Sequence, residues 1–178
     1  MTMPAAPEGF ATINPFIITE NADGLIAFLA EVFGGTENPQ ARTVDVDGLL
    51  LHAELQIGNT TLMFGERKPG WPFLPSLLQV YVDDVQATLA TARRLGADVV
   101  TEPTPFYGTT FSRFVDPWKN LWWVYQHAGS TEWEDDGSTA WETDTGGQNA
   151  DWSQTAPELE YIHRTLLETL PTLRECVR

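Results

Sequence analysis

Two residues apart in the run LLLHAELQI, His52 and Glu54 are the first side chains here whose types and spacing can do chemistry. Polar and apolar residues alternate through that run, the period of a half-buried strand. Positions i and i+2 of a strand share a face, so the imidazole and the carboxylate lie side by side. Such a doublet can serve as an acid–base pair or as two ligands of a metal ion, with His127, at a later strand end, as the best third ligand. It can also be two polar groups in a wet cleft, Glu54 then pairing with Arg113. A second set is aromatic. Phe16, Tyr81, Phe111, Trp123 and Tyr125, accompanied by Gln79 and Arg113, can line a pocket for a flat organic ligand, or simply fill space between two sheets.

The elements that must hold these residues read clearly from 11 to 127. ATINPFIITE is a strand, with Pro15 pointing to an edge or a bulge. A helix follows from an Asn21 cap to Gly34, its apolar face made by Leu25, Phe28, Leu29, Val32 and Phe33. Thr43–Val46 is a short strand, and Gly58-Asn59 joins two longer ones as a hairpin. The same β-α-β-β-β order then recurs about sixty residues on, an internal repeat. Its helix runs from an Asp84 cap to Gly96 with Val85, Leu89, Ala92 and Leu95 on one face, and Asp116–Asn120 forms its last turn. The linker 67–72, RKPGWP, separates the two units.

Alternation also assigns faces. Ala53, Leu55, Leu62 and Phe64 belong under the first helix, leaving His52, Glu54, Gln56 and Met63 on the opposite side. In the second unit Leu78, Val80, Val82, Trp122 and Val124 go under the helix, and Leu77, Gln79, Tyr81, Trp123 and Tyr125 away from it. Phe111 and Arg113 then stand where His52 and Glu54 stand in the first. The fold class expected is α+β: two tandem βαβββ modules, 11–67 and 73–127, within a body of residues 1–129. One helix covers one face of each sheet, so the other faces pair or line a cavity.

Residues 130–178 differ in kind, with 11 acidic and 3 basic side chains in a glycine-rich stretch punctuated by Trp133, Trp141 and Trp152. Those tryptophans are expected to pin the loop onto the body, or to form cation-binding cages. Thr155 to Glu158 resembles a capping box, followed by a stripe of Leu159, Ile162, Leu166 and Leu170 that needs an apolar surface, in this chain or a partner, until Pro171 interrupts it. His163 on that helix is expected at the surface. The net charge of −15 makes a nucleic-acid partner improbable; it serves solubility or attracts cationic ligands. A single cysteine, no apolar run of membrane length and no secretory leader suggest a cytoplasmic protein.

The stretches NPFIITENADGLIAFLAEVFGG, HAELQIGNTTLMF, VYVDDVQATLATARRLGADV and YGTTFSRFVDPWKNLWWVYQH resemble the vicinal oxygen chelate superfamily, the glyoxalase/bleomycin-resistance/dioxygenase group, and within it the PhnB-like branch. The resemblance covers about two thirds of the chain and implies curved sheets around a cleft, often completed by dimerisation. Metal-using members take ligands from the first and last strands of each module. The matching positions here are Asn14, Met63, Leu77 and Trp123, three of which offer no oxygen or imidazole donor. The expectation is therefore a homodimeric binder of a small, cationic or aromatic molecule with no metal and no cofactor. The alternative is a lyase, isomerase or dioxygenase using a displaced metal or the His52/Glu54 pair.

Overall fold

The structure, a computed structural model, describes residues 6, 7, 9–127 and 156–174. The first module runs β1 (Phe16–Thr19), α1 (Ala22–Phe33), β2 (Thr36–Glu37), β3 (Thr43–Val44), β4 (Leu50–Ile57) and β5 (Thr60–Glu66). The second runs β6 (Leu77–Tyr81), α2 (Val85–Arg94), β7 (Asp98–Phe106), β8 (Thr109–Val115) and β9 (Leu121–His127). Sheet order is β1-β5-β4-β2, with β3 also on β4, and β6-β9-β8-β7. In both, the first strand runs parallel to the last and the other pairs are antiparallel. The α+β repeat is thus present in full, and Pro15 does precede an edge strand.

Helix boundaries sit where the caps put them. Asp84 accepts from the Ala87 N–H, and Gly96 follows α2 in the left-handed region with φ 93°. Asn21 accepts from Gly24 N–H at 3.2 Å, and the Glu66 carboxylate takes the Asn21 and Ala22 N–H groups at 2.6 and 2.8 Å. That second cap comes from a strand 45 residues away, so no local pattern announces it.

The two modules meet through their helices. Phe28 and Phe33 of α1 reach Phe114, Trp118 and Trp122 of the second module, with ring centroids 5.1–6.2 Å apart. Arg94 of α2 pairs with Glu31 of α1 at 2.6 Å. Ala53, Leu55, Leu62, Phe64, Val80, Trp122 and Val124 join one core cluster with both helices, as alternation requires. The helix-covered faces therefore share a core, and every described ring contact between modules lies there.

The turn after β8 carries much of this joint. Buried Asp116 accepts from Trp118 N–H and Asn120 N–H through Oδ1, and from Asn120 Nδ2 and Trp122 Nε1 through Oδ2, each at 2.9–3.0 Å. Burial raises its pKa and the four donors oppose that. The Asp-Pro-Trp-Lys-Asn motif is thus a self-bonded turn that seats Trp118 against α1.

The C-terminal helix α3 (Pro157–Thr169), followed by a 3-10 turn at Leu170–Thr172, packs on β7. Two expectations are corrected here. Ala156 is the N-cap and no side chain bonds there, because Pro157 takes the first helical position; Thr155 lies outside the described residues. The buried face is Ile162, Thr165 and Thr169: of the expected stripe Ile162 is buried, Leu159 and Leu166 are half-buried and Leu170 stays exposed. The surface under α3 is polar, so hydroxyls face it. His163 is exposed, as expected, and Trp133, Trp141 and Trp152 fall outside the described residues.

Candidate functional site

Away from the helices, each sheet presents a second face, and the register lays its residues in rows. On the first sheet one row is Phe16–Met63–Glu54, and His52 stands in the adjacent row beside Gly65. His52 Nε2 lies 3.2 Å from Glu54 Oε1, and Asn38 Nδ2 donates to Glu54 Oε2 at 3.1 Å. The Phe16 ring stands 5.9 Å from the imidazole, itself half exposed. Gly65 is needed here: a Cβ on it would come within 3.2 Å of the Leu51 carbonyl oxygen, between Ile18 and Phe16.

On the second sheet the rows are Gln79–Trp123–Arg113–Thr101 and Tyr81–Tyr125–Phe111–Thr104. The rings of the second row touch in sequence: Tyr81 to Tyr125 at 5.4 Å, Tyr125 to Phe111 at 5.0 Å, Phe111 to Phe106 at 5.5 Å. Phe111 is buried, Tyr125 half-buried and Tyr81 exposed, so the row runs from the covered interior to open solvent at β6. Gln79 Nε2 donates to the Tyr81 hydroxyl at 3.1 Å. Burial raises the Tyr125 pKa, with the Arg113 charge opposing. On the opposite, helix-covered side of β6 a cavity of about 560 Å³ opens between the modules, walled by Phe33, Leu62, Leu78, Val80 and Trp122 and reaching β6 at Gln79 and Tyr81. Its size suits a small organic molecule.

Six of the seven expected ligand-binding residues are thereby gathered on one sheet face; Phe16 is on the other sheet, beside His52. The expected Glu54–Arg113 pair is not made. Glu54 bonds His52 and Asn38, while Arg113 turns to α3, donating to the Ile162 carbonyl at 2.8 Å and to Thr165 and Thr101 hydroxyls at 3.4 Å. The two residues occupy different sheets joined on their opposite faces, which is why matching positions do not meet.

The donor set does not fit the metal centre of the metal-using members. Asn14 is engaged with Ala11, giving to its carbonyl and accepting from its N–H, while Met63, Leu77 and Trp123 bring thioether, alkyl and indole groups. His127 ends β9 in the other sheet, and among the described residues no third His, Cys, Asp or Glu joins His52 and Glu54.

A sequence profile described as the Glyoxalase/Bleomycin resistance protein/Dioxygenase superfamily matches residues 10–124, more than half of the chain. The chain belongs to that superfamily. An uncharacterised protein of Mycobacterium bovis is 28% identical over 122 residues, 62% of this chain and 79% of the relative. Among solved structures, TioX from a Micromonospora species superimposes with a TM-score of 0.52 at 21% identity, over 68% of this chain and 100% of TioX. A superfamily enzyme from Burkholderia phytofirmans does so with a TM-score of 0.52 at 20% identity, over 69% of this chain and 100% of its own. At these identities the likeness is one of fold. The profile match ends at residue 124, within β9, so α3 lies outside it.

Proposed function

We propose that this member of the superfamily binds a small planar molecule on the aromatic face of the second sheet, without metal, and belongs to the PhnB-like branch. The observation that carries the reading is the contiguous row Tyr81–Tyr125–Phe111–Phe106, whose rings run from exposed Tyr81 through half-buried Tyr125 to buried Phe111, with half-buried Phe106 beyond it. Stacking on such a row contributes about 0.5–1.5 kcal/mol per aromatic pair beyond area burial. The unsuitable donors at Asn14, Met63, Leu77 and Trp123 favour binding over metal-assisted chemistry.

A homodimer completes this reading. With the helix-covered faces joined inside one chain, the face bearing Phe16, His52 and Glu54 is free to oppose the aromatic face of a second copy. Phe16 and Leu77, 47% and 51% exposed on the edge strands, favour such an approach. The setting we favour is the cytoplasm; no helix among the described residues is long and apolar enough to cross a membrane.

Thermal-shift and fluorescence screening with planar aromatic compounds, charged and neutral, tests the proposal, and sedimentation tests the dimer. A stabilising compound whose affinity falls about tenfold in Tyr81→Ala or Tyr125→Ala supports it. Stoichiometric metal that is lost in His52→Ala and Glu54→Ala would instead establish the alternative, a lyase or isomerase built on that pair.

A further inference from the structure

Arg113 is the most unusual group in the molecule. Only 3% of it is exposed, yet among the described residues no carboxylate pairs with it. Its guanidinium lies 4.6 Å from the Phe111 ring and 5.3 Å from the Trp123 ring. Among the described residues Nη1 is met only by neutral oxygens, the Ile162 carbonyl and the hydroxyls of Thr101 and Thr165, and buried Nε has no partner. Desolvation lowers its pKa to about 10. A buried cation without a counter-charge, and with one donor unmet, is costly to keep unless something else uses it.

What covers Arg113 is built to come away more readily than a core helix. The contact face of α3 is Ile162, Thr165 and Thr169, with Leu167 56% and Leu170 41% exposed. No side chain caps its N-terminus, and no basic residue sits in its last turn. Its described ties to the body are few and polar: Thr165 to Thr101 at 2.7 Å, the Tyr161 hydroxyl to Glu102 N–H at 2.9 Å, and the Arg113 bonds. Elements of this kind open at lower free energy than the global unfolding of the core.

We propose that Arg113 is an anion-recognition residue and that α3 is its displaceable cover. The Ile162 carbonyl and the Thr165 hydroxyl stand where the oxygens of a carboxylate on a planar aromatic ligand go. This rests on the reading that the aromatic face of the second sheet binds a small molecule, and it names the ligand's charged end. A carboxylate would take two guanidinium N–H groups, including the unmet Nε, while its ring extends along Phe111 and Tyr125. Closed α3 and bound anion exclude each other, so affinity scales with the open fraction.

A lockable cover tests this in the full chain. Thr101→Cys with Thr165→Cys, in a Cys176→Ser background, places a reducible pair where two hydroxyls already touch. The probes are 1-naphthoate and 1-naphthylmethylammonium, which share a ring system and differ in charge. Reduced protein should bind naphthoate roughly ten times or more tightly than oxidised protein, while the ammonium probe responds to neither state. Arg113→Gln in the reduced pair should abolish the naphthoate preference. Equal naphthoate binding in both redox states, or binding indifferent to Arg113→Gln, overturns the proposal. Binding of the ammonium probe alone overturns it while leaving the aromatic-face reading intact; binding of neither probe removes that reading too. Thr165→Val in the otherwise native chain gives a second route. It should raise naphthoate affinity severalfold and speed amide exchange in α3, and faster exchange with unchanged affinity also overturns the cover.

Discussion

The two modules repeat one topology, though β2 and β3 of the first are a single strand, β7, in the second, and they differ further at the final turn and on the face away from the helix. In the first module the turn is Gly58-Asn59, exposed, with Gly58 at φ 56° and one long side-chain hydrogen bond, from the Thr60 hydroxyl to Asn59 Oδ1 at 3.4 Å. In the second it is Asp116–Asn120, buried and bonded through one carboxylate. The first module leaves its outer face open, with a solvated His52–Glu54–Asn38 chain of hydrogen bonds. The second buries Arg113 beneath α3. A duplicated scaffold thus keeps its core pattern while each copy's outer face takes a separate task. The core is constrained by packing on both sides, and an outer face by little beyond solubility until something docks on it.

The turns should differ most. Asp116→Ala strands four donors in the joint between modules and is expected to cost about 3 kcal/mol or more, whereas Asn59→Ala costs about 0.5 kcal/mol or less. Urea melts of both variants check this, and equal losses would mean that the buried turn is no more than a connection. Next comes Gly24→Ala. An added Cβ would lie 2.8 Å from the Trp118 ring and 2.4 Å from the Asn21 amide nitrogen, so overpacking of about 1–3 kcal/mol should outweigh the helix-propensity gain. A stabilised variant would show that Trp118 is free to shift and that the modules are loosely joined.

On the outer faces smaller effects are expected. His52→Ala should change stability by less than about 1 kcal/mol, because the imidazole is 30% exposed and Glu54 keeps its hydrogen bond from Asn38. A larger loss would give the open face a structural role like that of the covered one. The last test is a pH comparison. The folded-state pKa of Arg113, lowered by burial to about 10, lies below the ordinary guanidinium value, so the unfolded chain binds that proton more tightly. The destabilisation is complete below about pH 10 and is relieved as pH rises through it. Relative to Arg113→Gln, the parent protein should therefore gain stability above pH 10 in denaturant melts, and a parallel pair of curves would deny the desolvated cation.

Much of the first 127 residues was legible because its signals are local. Caps at Asn21 and Asp84, apolar spacing in α1 and α2, and alternation in β4 and β5 each act within a few residues, and each appears where read. The gathering of Gln79, Tyr81, Phe111, Arg113, Trp123 and Tyr125 on one face followed from the strand period and the repeat. The partner of Arg113 was not legible. Period two says which side chains share a face but not which body lies over it, and matching two modules says nothing of how they are joined. Ile162 of the expected α3 stripe is buried, but the Thr165 and Thr169 contacts were missed because an apolar stripe is the stronger local signal. Those hydroxyls make sense only against Arg113 and Thr101.

By itself, then, the sequence determined the α+β repeat, the ends of its helices, the two faces of each sheet and the superfamily. Those rest on backbone periodicity and capping, whose free energies are local. Only the tertiary structure decided that the helix-covered faces join, that Glu54 and Arg113 stay apart, and that a helix outside the superfamily match closes over a cation. Those outcomes depend on which surfaces exclude water together, a choice made among residues far apart in the chain.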